Sequence, residues 1–63
     1  GKYDAAEPVY KRLLAIREKR YGPHHPEVAA VIESLSSLYE KSNQKDKAAS
    51  CAARAALIRA QIH

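Results

Sequence analysis

Apolar positions recur three and four apart in three blocks of the chain, with no stretch of one-by-one alternation. The first block is Ala6, Val9, Tyr10, Leu13, Leu14 and Ile16. The second is Val28, Val31, Ile32, Leu35, Leu38 and Tyr39. The third is Ala48, Cys51, Ala52, Ala55, Ile58 and Ile62. Such spacing gathers each set on one side of an α-helix. It predicts helices over about 4–20, 26–41 and 46–62, with charged or small polar residues on their other sides.

The breaks between blocks have backbone causes. Asp4 is placed to cap the first helix by accepting a bond from an otherwise unpaired N–H. Pro8 then falls at the edge of the first turn, where its missing N–H forfeits little. Gly22 suits a left-handed residue after a helix end, Pro23 prevents continuation, and Pro26 fits the first turn of the next helix. Ser42-Asn43 closes the second helix, Asn being the non-glycine residue that best tolerates the left-handed cap. The histidines between these punctuators, His24 and His25, therefore sit in a corner, and His25 reads as a corner residue beside Pro26. The third helix is rich in alanine, which lets backbones approach closely but buries little area per residue.

The chain also repeats itself. At an offset of 42 positions Asp4 falls on Asp46, Ala6 on Ala48, Arg12 on Arg54, Ile16 on Ile58 and Arg17 on Arg59, and Gly1 falls on Asn43, another residue suited to caps. A repeat of this length is the mark of stacked helical hairpins. Residues 1–22 then hold the second helix of one unit, and 23–63 both helices of the next.

The residues that carry this pattern resemble a known family. Gly1, Lys2, Tyr3, Ala6, Glu7, Pro8, Tyr10, Lys11, Arg12, Leu14, Ile16, Arg17, Glu18 and Lys19, then Gly22, Pro23, His25, Pro26, Val28 and Ala29, match the tetratricopeptide repeat of the kinesin-light-chain type, with Leu35, Leu38 and Tyr39 continuing the match. Leu13, His24, the pair Glu33-Ser34, Lys45 and Ala52 depart from it. Lys45 and Ala52 replace usual aromatics, so the last helix reads as a degenerate, terminal unit. The resemblance implies an all-α solenoid of antiparallel hairpins, here three helices and one and a half repeats. It implies first helices lining a concave side and second helices a convex side. Carried over by position, the concave residues are Ala30, Glu33, Ser34, Ser37 and Lys41. They are expected to hold a peptide or partner segment, with Glu33 favouring a basic or hydrogen-bond-donating one. The competing expectation is a structural end unit that self-associates into a homo-oligomer.

Composition and charge narrow the rest. The formal net charge is +4, yet Lys11, Arg12, Arg17, Lys19, Arg54 and Arg59 are scattered over presumed outer faces without interleaved stacking aromatics, which argues against nucleic acid. No run approaches the ~20 apolar residues of a membrane span. A single cysteine excludes an internal disulfide framework and fits a reducing, cytoplasmic setting. The absence of methionine, even at position 1, reads as a segment of a longer chain. His24 and His25 with Cys51 or His63 lack any zinc-ligand spacing. Cys51 sits in an alanine-rich pattern without a base beside it, and no glycine-rich loop is present to cradle phosphate. Neither enzyme, cofactor nor metal is expected.

Overall fold

A computed structural model describes residues 2–61. It contains the three helices: α1 (Lys2–Tyr21), α2 (Pro26–Lys41) and α3 (Lys45–Gln61). No strand occurs among the described residues. The helices run antiparallel in chain order, with α2 in the middle and packed against both neighbours. The bounds of α2 are those its pattern predicts. α1 starts two residues earlier than expected, so Asp4 lies in its first turn rather than at its cap. There its charge still faces the positive end of the helix dipole. Pro8 thereby becomes an interior residue, and its missing N–H deprives the Asp4 carbonyl of the usual i+4 donor.

Both links follow the backbone logic of the sequence. Gly22 adopts φ 93° and its N–H donates to the Glu18 carbonyl at 2.8 Å, the single bond of a left-handed helix end. His25 is the N-cap of α2: its Nδ1 accepts from the Glu27 N–H at 3.1 Å, and its ring stacks on Tyr21 at 4.4 Å. Asn43 adopts φ 63°. Around it Asn43 N–H donates to the Glu40 carbonyl and Gln44 N–H to the Tyr39 carbonyl, at 3.2 and 2.8 Å, the paired bonds of a Schellman end.

The core belongs mostly to α2. Val28, Ala29, Val31, Ile32, Leu35, Leu38 and Tyr39 are buried, joined by Ala48, Ala55 and Ile58 of α3. α1 contributes no fully buried residue; its Ala6, Tyr10 and Leu14 lie half-buried against the core. The core forms two clusters. Val28, Ala29, Ile32, Ala55 and Ile58 make one and Leu35, Leu38, Tyr39 and Ala48 the other, with Leu14 and Cys51 touching both. Ser36 ties α2 to α3 by donating its hydroxyl to the Ala48 carbonyl at 3.0 Å.

Three expected inward positions differ. Val9 and Ile16 are 65% and 55% exposed, because the apolar residues of α1 fall on two sides: Ala6, Tyr10 and Leu14 face α2, while Val9 and Ile16 point away from it. Ala52 of α3 is exposed for the same reason. Ile62 lies outside the described residues. The molecule measures 36 × 21 × 11 Å, one helix thick in its shortest dimension. Its accessible surface of 4435 Å² exceeds the roughly 4,000 Å² of a compact monomer of this mass.

Candidate partner-binding groove

Ala30, Ser34, Ser37 and Lys41 follow one another at helical spacing on the solvent side of α2, and all are exposed. They form one stripe because α2 turns its other sides to α1 and α3. Ser34, Ser37 and Lys41 converge with Leu38 of α2 and with Tyr3 and Tyr10 of α1 on an open cavity of about 240 Å³. Ala30 continues the stripe beyond it; the Ser34 hydroxyl donates to the Ala30 carbonyl at 3.2 Å. The cavity has an apolar floor, four hydroxyl groups and one ammonium. A larger depression of about 430 Å³ is lined by Asn43 to Lys47 at the α2–α3 link. It is formed by five consecutive residues of the link and the first turn of α3, not by the facing sides of two helices.

Glu33 stands apart from this cavity. Its carboxylate accepts two bonds from the Arg59 guanidinium of α3, at 2.6 and 2.7 Å. The bonds from Arg59 hold its pKa below the usual carboxylate range. Both side chains are about half exposed, so the pair adds little stability; its effect is to offset the charge expected to choose a partner. Lys41 makes no ion pair among the described residues, which leaves it the uncompensated charge of the cavity. Tyr3 and Tyr10 were outside the sequence expectation for the groove. Their spacing of seven, two turns on the α2-facing side of α1, is the signal that places them together.

A polar cluster braces the far side of α2. The buried Tyr39 hydroxyl donates to Glu7 at 2.8 Å, Lys11 pairs with the same carboxylate at 3.1 Å, and the Lys47 ammonium lies over the Tyr39 ring at 5.6 Å. The Tyr39 bond, then that from Lys11, lowers the pKa of Glu7; burial, then the bond to Glu7, raises that of Tyr39. Tyr39 is thus a packing and bracing residue, as its place on the apolar stripe implies. Tyr21 packs at the corner against His25, with Arg17 and Arg20 near its ring at 5.9 and 5.5 Å.

The remaining chemistry is sparse. No three His, Cys, Asp or Glu residues among those described could hold one metal ion, His25 being occupied as a cap; His63 lies outside them. Cys51 is half-buried, and burial raises its thiol pKa, opposite to an activated nucleophile. No helix among the described residues is long and apolar enough to cross a membrane.

Antiparallel helices with one central member, a one-helix-thick profile and an internal repeat define a unit of a helical solenoid. The tetratricopeptide-repeat family model matches residues 1–60, and the chain belongs to that family. It is 42% identical over 52 residues to a clustered mitochondria protein homolog of Neurospora crassa, covering 82% of this chain and 4% of that protein. It is likewise 42% identical over 45 residues to a clustered mitochondria protein homolog of Coccidioides immitis, covering 71% of this chain and 4% of the relative. The chain thus spans a small fraction of the relatives' length. No solved structure matches it.

Proposed function

We propose that this unit is a protein-interaction module whose α1–α2 groove holds an extended segment of a partner, within a scaffold or adaptor of the kinesin-light-chain-like subtype in the cytoplasm. Tetratricopeptide repeats generally mediate protein–protein interaction. The observation that carries the reading here is the convergence of Tyr3, Tyr10, Ser34, Ser37 and Lys41 on one cavity with Leu38 at its floor. Aromatic rings supply contact area at low entropic cost, and the hydroxyls orient a peptide backbone. Because Arg59 offsets Glu33 while Lys41 has no counter-ion, the groove favours a segment with an acidic side chain beside Lys41. The lone thiol supports the cytoplasmic setting.

Selection from a random peptide library, followed by calorimetry on the selected peptides, tests this. Acidic sequences are expected. Lys41→Glu should weaken binding about tenfold or more, consistent with loss of a charge-assisted contact, and Ser37→Arg should block it, while Glu33→Gln changes affinity little. Selected peptides that bind Lys41→Glu and Ser37→Arg as well as the unaltered chain refute the assignment.

A further inference from the structure

His25 accepts every hydrogen bond that starts α2. Its carbonyl accepts from the Val28 and Ala29 N–H groups at 2.9 and 3.1 Å, its Nδ1 accepts from the Glu27 N–H at 3.1 Å, and Pro26 has no N–H to place. One residue thus satisfies the first turn of a helix whose Val28 and Ala29 are fully enclosed in the core. Two of the three bonds end on a backbone oxygen and are indifferent to pH. The third ends on an imidazole nitrogen and exists only while that nitrogen carries no proton. With Nδ1 accepting, the neutral ring holds its one proton on Nε2. A second proton sets an Nδ1–H against the Glu27 N–H, donor against donor.

The charged groups around the ring do not favour an imidazolium. From α1, Tyr21 stacks on the ring at 4.4 Å, and the Arg17 and Arg20 guanidinium groups lie 5.9 and 5.5 Å from the Tyr21 ring. The corner's carboxylates are engaged: Glu18 accepts from Arg54 at 2.7 Å, and Glu27 lies 3.9 Å from Arg17. From α3, Arg59 is the charge of the last turn, and Glu33 holds it. His24, the neighbour in the link, is a second imidazole and brings a like charge when protonated. The positive end of the α2 dipole also points toward the cap.

We propose that His25 is a pH-sensitive clasp at the α1–α2 corner: its neutral imidazole locks the first turn of α2, and protonation unlocks it. The added proton binds the uncapped state better than the capped one. Stability therefore rises with pH through the range in which imidazoles titrate, between about pH 5 and 8. The contributions of Glu7 and Glu33 are complete above pH 4.5, and that of Tyr39 holds up to pH 10. None of the three reaches into this window.

The test follows the thermal midpoint by circular dichroism from pH 8 to pH 5 at fixed ionic strength. It should fall by roughly 5 °C, the loss expected for one helix cap in a chain of this size. Asparagine caps a helix without titrating, so His25→Asn should cut the fall by about half or more, whereas His24→Asn should leave it in place. A second readout needs no variant. In a nuclear magnetic resonance titration of the unaltered chain, the Glu27 amide proton should move upfield as pH falls, with the same midpoint as the His25 imidazole nitrogens, because its acceptor is lost at that step. A midpoint that does not fall, a fall undiminished in His25→Asn, or a Glu27 amide that ignores the His25 titration overturns the proposal.

Discussion

Ile32 and Ile16 are the same residue on adjacent helices, 1% and 55% exposed, and truncating each to alanine separates core packing from mere apolarity. Ile32 is enclosed by Val28, Ala29, Ala55 and Ile58. Losing about three buried methyl or methylene groups forfeits roughly 2.4 kcal/mol of transfer free energy. The cavity adds to this according to how far the walls close in. Two of those walls are alanines, whose single methyl groups cannot swing into the space, so closure is small; a residual void of roughly 80 Å³ costs about 2 kcal/mol more. Ile32→Ala should therefore cost about 4 kcal/mol, comparable to the whole stability of a chain of this length, on the order of 3–9 kcal/mol. Ile16→Ala, facing solvent, should cost about 0.5 kcal/mol or less. Urea unfolding followed by helical ellipticity measures both. If the two variants differ by less than about 1 kcal/mol, then the α2–α3 seam does not hold the fold and the packing account above is wrong.

Other expectations follow from the links and the titrating groups. A Cβ added at Gly22 meets nothing within 4 Å, so Gly22→Ala should lose about 1–2 kcal/mol through its positive φ alone; D-alanine, introduced by synthesis, should restore the loss, and failure to do so would point to a steric cause instead. The pKa values of Glu7 and Glu33 are lowered by their bonds to Tyr39 and Arg59. Their contribution is thus complete above the unfolded carboxylate value of 4.5 and is lost as pH falls through the lower folded values. Tyr39 is raised from 10.0, so its contribution holds below pH 10 and is lost as pH rises beyond it. Glu7→Gln should flatten the acid limb, and Tyr39→Phe the alkaline limb, of midpoint against pH; unchanged limbs would remove these groups from the account.

The parts of this architecture legible in the sequence are those decided locally. α2 is bounded by Pro26 at its start and Asn43 just past its end, and the pattern reads both. The start of α1 carries no such breaker, so Asp4 resembles a cap although the helix continues back to Lys2. Periodicity marks Val9 and Ile16 as apolar, but it cannot say which neighbour covers them; that depends on the rotation of α1 against α2. The groove divides in the same way. Ser34, Ser37 and Lys41 follow from the open stripe of α2, whereas Tyr3 and Tyr10 join them across a helix pair. Glu33 meets Arg59 across another, and no local pattern registers contacts made 26 residues apart.

The 11 Å depth of the molecule also governs how it deforms. A plate made of single rods flexes by rolling each rod against the next, with no second layer to compress. The two seams beside α2 then act as parallel hinges: alanine contacts and the Ser36 bond hold one, half-buried side chains and the Tyr39–Glu7 bond the other. Because the groove lies along the second of these hinges, grip on a guest and curvature of the plate are mechanically one variable.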